Sequence, residues 1–63
     1  MDNTIRVERA KLDISQQDLA EKVNVSRQTI HSIERGKKIP SVELAIRIAQ
    51  FFKVSVEEIF LVK

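Results

Sequence analysis

Sixty-three residues with a net charge of +2 make one lean domain, read as residues 1–63, with no room for a separate sensor or catalytic module. There is no cysteine, so disulfides and thiolate metal sites are excluded. A single histidine, with no Gly-rich phosphate loop and no carboxylate pair beside a base, leaves nothing that reads as an enzyme, metal or cofactor centre. The charged start MDNTIRVERAK is not a signal peptide and no apolar run reaches membrane-spanning length, so the expectation is a cytoplasmic chain with no membrane partner.

The chain reads as helices throughout, with no segment alternating well enough to be a main strand. Asp2 or Asn3 can cap a first helix that runs to about Lys11 or Leu12, with Ile5 and Leu12 inward and Ile14 leading into the next cap. Its thin apolar face makes it the least stable helix. Ser15 with Asp18 three residues later then gives a cap and a shortened capping box. Leu19, Ala20 and Val23 form the apolar stripe of this second helix, and Gln16, Gln17, Glu21 and Lys22 stay outside.

Asn24 tolerates the positive φ of a sharp helix end, Val25 can tuck into the angle, and Ser26 caps a third helix. A turn this short forces the two helices to cross steeply. That is the geometry in which one helix rests on a DNA backbone while the other enters the major groove.

The third helix, Arg27 to Arg35, places Ile30 and Ile33 on one side. Gln28, His31, Ser32 and Arg35 occupy the other, with Arg27 at the rim. Glu and Lys, the usual solubilising residues, are missing from that outward face, which instead carries short or planar hydrogen-bonding groups. Gln pairs bidentately with adenine and Arg with guanine, so the face suits base readout. Arg27, Arg35, Lys37 and Lys38 stand against Glu34 alone, so the positive excess of the chain is concentrated on and just after this helix, where phosphates would be met.

Gly36 serves as a left-handed C-cap, and Pro40 holds the loop that follows. Ser41 caps a fourth helix to about Lys53, with Val42, Ala45, Ile48, Ala49 and Phe52 inward. Ser55 with Glu58 boxes a short fifth helix, to which Val54, Val56, Ile59 and Phe60 add apolar contacts. Leu44 and Phe51 lie off the inward stripe, and the end of the chain adds Leu61 and Val62. This surplus of apolar surface predicts a homodimer with those four residues at its interface.

The segments Ser15-Gln16-x-x-Leu19-Ala20, Val25-Ser26-Arg27-Gln28-Thr29-Ile30, Ile33-Glu34-Arg35-Gly36, Pro40-Ser41 and Val54-Ser55-x-Glu57-Glu58-Ile59-Phe60 together resemble the lambda-repressor-like, Xre/Cro-type helix-turn-helix family. The resemblance runs over nearly the whole chain. It implies an all-α, five-helix domain whose second and third helices form the helix-turn-helix, with base contacts from Arg27, Gln28 and Ser32, to which His31 is added. It also implies that Gln16, beside Gln28, contacts phosphate and braces the recognition helix, and that Arg9 pairs with Glu34, a carboxylate otherwise costly on the inward side of the third helix. Gln17, Arg35, Lys37, Lys38 and Ser41 complete the expected phosphate contacts. Asn24 departs from the family, which often has Gly in the turn.

The resulting expectation is a sequence-specific transcriptional regulator of double-stranded DNA, a dimeric repressor reading a palindrome. The competing reading is a protein-partner module, such as an antitoxin bound to a toxin. No cofactor is expected.

Overall fold

The computed structural model describes residues 2–61. Five helices follow one another: α1 (Ile5–Leu12), α2 (Gln16–Lys22), α3 (Arg27–Glu34), α4 (Val42–Phe52) and α5 (Val56–Ile59). Two short strands frame them, β1 (Asp2–Asn3) and β2 (Phe60–Leu61), which pair antiparallel with Asp2 opposite Leu61 and Asn3 opposite Phe60. The architecture is all-α and lambda-repressor-like, as the sequence predicts, with this ladder as an addition to it.

Serine caps open four of the five helices. The hydroxyls of Ser15, Ser26, Ser41 and Ser55 each accept from the backbone N–H three residues on, satisfying donors that no helical carbonyl can reach. Asp18 and Glu58 reciprocate by accepting from the backbone N–H of Ser15 and Ser55. The first helix departs from expectation. Its cap is Thr4, without a side-chain cap bond, because β1 takes up Asp2 and Asn3. Asn3 still serves this end, since its Oδ1 accepts from the N–H of Ile5 at 3.2 Å.

Helix ends are equally regular. Asp13, Asn24, Gly36 and Lys53 all have φ between 55° and 74°, and each sits in a pair of backbone hydrogen bonds that closes a left-handed helix end. After α2, Val25 N–H reaches Ala20 O at 2.9 Å; after α3, Lys37 N–H reaches Ser32 O at 3.0 Å. The residues following three of these turns, Ile14, Val25 and Val54, pack against the core, so each stop also anchors the outgoing chain. Asn24 does make the turn between α2 and α3 with positive φ.

The core consists of Ile5, Leu19, Ala20, Val23, Ile30, Ile33, Ile48, Ala49, Phe52, Ile59 and Phe60. Two residues expected inside are not there. Leu12 is 52% exposed, because the left-handed turn at Asp13 ends α1 and Ile14 takes the inward place instead. Val42 is 78% exposed, because it opens α4 beside the incoming Ile39–Pro40 loop, which flanks that first turn without covering it. Leu44 and Phe51 are half-buried against the core, with the Phe51 ring edge-on to Phe52 at a centroid distance of 5.1 Å. Leu61 is exposed on β2, and Val62 lies outside the described residues.

The capping carboxylates carry a pH dependence. Backbone N–H donation from Ser15 holds Asp18 below its ordinary pKa, and Ser55 does the same for Glu58. A carboxyl with a depressed folded-state pKa contributes stability that is present above its unfolded value and lost as pH falls through the folded one. Stability should therefore decline as pH drops below the ordinary carboxylate range of about 4. In thermal melts across acid pH, Asp18→Asn combined with Glu58→Gln should flatten that decline; an unchanged slope would mean that the boxes do not hold their protons off.

Candidate nucleic-acid interface

Helices α2 and α3 form the most extensive helix pair in the chain, joined by the turn through Asn24 and Val25. Leu19, Ala20 and Val23 of α2 meet Ile30 and Ile33 of α3 in the core, and this apolar seam decides which face of α3 is left outside. That face bears Arg27, Gln28 and Arg35, all exposed, with His31 and Ser32 half-buried beside them.

A polar network fixes this face to the rest of the domain. Arg9 of α1 donates from Nε to Glu34 Oε2 at 2.7 Å and from Nη2 to Oε1 at 3.1 Å, a two-point ion pair. Its side chains are 16% and 6% exposed, so the pair is nearly withdrawn from water. Arg9 Nη1 also donates to the carbonyl of Ile14 at 3.0 Å, tying the α1–α2 connection into the same cluster. The hydrogen bond to Glu34 raises the Arg9 pKa against the opposing effect of burial, so this guanidinium stays charged.

Gln16 extends the cluster to the reading face. Its Nε2 donates to Glu34 Oε1 at 3.1 Å and lies 3.4 Å from His31 Nδ1. Its Oε1 accepts from Arg27 Nη1 at 3.4 Å. The amide of Gln16 thus connects α2 to Arg27 and His31 of α3, whereas the resemblance implies a place beside Gln28.

The remaining expected phosphate contacts lie at the edges of this face. Gln17 is exposed and donates to Glu21 Oε2 at 2.9 Å. Lys37 and Lys38 are exposed in the loop after Gly36, next to Arg35. Ser41 is exposed, and its hydroxyl is engaged in capping α4.

Two participants escaped the sequence reading. Asn3 Nδ2 donates to the carbonyl of Ile33 at 2.8 Å, holding the last turn of α3 to the amino-terminal strand; nothing in the local sequence signals a partner 30 residues away. Arg6 lines a cleft of about 470 Å³ together with Arg9, Gln16, Arg27, His31, Glu34 and Arg35. Its spacing of three from Arg9, which puts both on one helical face, was the available signal.

A helix pair joined by a tight turn that presents a braced, cationic, hydrogen-bonding helix to solvent defines a DNA-binding helix-turn-helix domain. Comparison with known proteins gives the same class. Residues 5–59 match the Helix-turn-helix family model, and the chain belongs to that family, in its lambda-repressor-like, Xre/Cro-type branch. An uncharacterized HTH-type transcriptional regulator of Methanocaldococcus jannaschii is 51% identical over 61 residues, which cover 97% of this chain and 92% of the relative. The regulator YgzD of Bacillus subtilis is 40% identical over 60 residues, covering 95% and 91%. Among solved structures, the clp gene regulator ClgR of Corynebacterium glutamicum superposes with a TM-score of 0.76 at 33% identity. That match covers 82% of this chain and 55% of ClgR, so the chain spans about half the length of that structure. The protein is a DNA-binding regulator and not an enzyme. No helix among the described residues is long and apolar enough to cross a membrane.

Removing Arg9 leaves the Glu34 carboxylate desolvated and without its cation. Arg9→Met should lower stability by about 3 kcal/mol, more than an exposed ion pair is worth, and the double variant Arg9→Met with Glu34→Met should recover part of the loss. Denaturant unfolding measures both; an Arg9→Met midpoint equal to the parent's would show an exposed pair of little consequence.

Proposed function

We propose that residues 1–63 act as one domain of a cytoplasmic, homodimeric repressor that reads a palindromic operator through the major groove. The observation that carries this reading is the outward face of α3: Gln28 stands free and exposed, while Arg27 and His31 are oriented through Gln16 by the Arg9–Glu34 pair. A groove-reading helix needs such groups in fixed directions before it meets DNA, because side chains ordered only on binding cost affinity. Gln28 is the adenine reader in this account, and Arg27, Ser32 and His31 supply the other base contacts. Gln16, Gln17, Arg35, Lys37, Lys38 and Ser41 meet the phosphates on either side.

The dimer contact is redrawn from the four residues named by the sequence. Leu44 and Phe51 already pack on their own core, whereas Ile39, Val42, Ile46 and Leu61 are exposed. Ile39, Pro40, Val42 and Ile46 line one almost wholly apolar groove of about 460 Å³ together with Val56 and Phe60. A second copy placed on this groove covers surface that water would otherwise wet, and gives the two recognition helices a common two-fold axis. The half-sites would then lie roughly 34 Å apart, one helical turn of DNA.

Selection of operator fragments from genomic DNA, followed by binding measurements, tests the reading. Gln28→Ala should cost about 1 to 3 kcal/mol on the selected site and little on random duplex, while Lys37→Ala or Lys38→Ala should weaken both alike. Equal losses on both duplexes for Gln28→Ala would remove it from the base-reading set.

Sedimentation equilibrium tests the dimer separately. The parent should self-associate at micromolar concentration and Ile46→Lys should be monomeric, with binding to the palindrome reduced to that of a half-site. A parent that is monomeric both alone and on the palindrome would assign the groove to a different protein, the role that an antitoxin reading requires.

A further inference from the structure

The cleft between α1, α2 and α3 gathers four guanidinium groups around one carboxylate. Arg9 and Glu34 satisfy each other, and Arg27 donates to the neutral amide of Gln16. Arg6 and Arg35, both exposed, line the same cleft without an ion pair to any described residue. Three cationic groups therefore converge on one concave surface without an ion pair to any described acid. Like charges held together in this way repel in the free protein, and an anion seated among them relieves the repulsion.

Resting on the DNA-binding reading above, we propose that this cleft is a backbone-phosphate site and that Arg6 of α1 is its outer clamp. The ligand is a phosphodiester of the operator strand flanking the groove that α3 enters. The placement follows from the cleft's lining: Arg27 and His31 belong to the recognition helix and Arg35 to its C-cap, so a strand passing the edge of that helix meets the cleft, to which α1 contributes Arg6. Arg9 is already committed elsewhere: Glu34 accepts from Nε and Nη2 and balances its charge, and the Ile14 carbonyl accepts from Nη1. Helix α1 thereby contributes a phosphate contact of its own in addition to buttressing α3. Such a contact carries no sequence information and adds one released counterion to binding.

The test is the salt dependence of binding to a short random-sequence duplex, measured for the parent and for Arg6→Ala, Arg6→Lys and Lys11→Ala. Lys11 lies on the same helix but pairs with Glu8 at 3.3 Å and does not line the cleft, so it controls for loss of charge in general. Arg6→Ala should weaken binding to random and selected duplex by the same factor and reduce the slope of log Kd against log salt by about one. Arg6→Lys should keep the slope, Lys11→Ala should resemble the parent, and the melting temperature of Arg6→Ala should be unchanged. A parental slope in Arg6→Ala, or an equal loss in Lys11→Ala, would overturn the assignment. A parent that binds neither duplex would instead overturn the DNA-binding reading itself, which is a distinct result.

Discussion

The domain depends on one withdrawn ion pair. Arg9 and Glu34 come from helices that are far apart in sequence, and their two-point contact leaves little freedom in how α1 lies against α3. Buried ion pairs are expensive to assemble, since each charge must leave water, and the cost is met here only because the remaining polar atoms also find partners. The third guanidinium nitrogen reaches Ile14, and Glu34 takes a further hydrogen from Gln16; among the described residues no buried side-chain nitrogen or oxygen is left unpartnered. The gain is direction. A hydrophobic contact at this place would hold α3 just as firmly, but it would not orient Gln16, and through it Arg27 and His31.

A second constraint is the regularity of the helix ends. Helices of seven or eight residues have little stability by themselves, so their termini matter as much as their interiors. Serine hydroxyls begin four of the five helices, and left-handed turns close four, three of those turns feeding the next segment back toward the core. Only one of these turns uses glycine. Asp13, Asn24 and Lys53 hold positive φ at a modest steric cost, which the anchoring of Ile14, Val25 and Val54 offsets. The α2–α3 turn keeps its geometry through Asn24 without the glycine that the family often places there.

These constraints sort the surface into separate regions. The polar face of α3 and the arginine-lined cleft adjoin each other and present hydrogen-bond donors and positive charge. The groove bounded by Ile39, Val42 and Ile46 presents apolar carbon and belongs to the start of α4, the preceding loop and the α5–β2 end. The two regions can thus be altered independently, because no residue lines both.

Local chemistry in the sequence determined the helices themselves. Ser15, Ser26, Ser41 and Ser55 announced four starts, Asn24 and Gly36 two stops, and the outward face of α3 stood out because groups that hydrogen-bond occupied positions where solubilising residues are usual. Such signals act within a few residues, so one strand of sequence contains them entirely. The Arg9–Glu34 partnership was legible only through family resemblance, since nothing local links positions 25 apart. Tertiary structure alone decided the rest. The β1–β2 ladder requires residues 2–3 to meet residues 60–61, and the hold of Asn3 on Ile33 requires the same strand to reach the end of α3, events that no local pattern encodes. The exchange of Leu12 for Ile14, the exposure of Val42 and the inward packing of Leu44 and Phe51 followed from which elements finally lay over each helical face. Helical periodicity specifies that a face is apolar, but only the neighbours that arrive determine whether that face is covered.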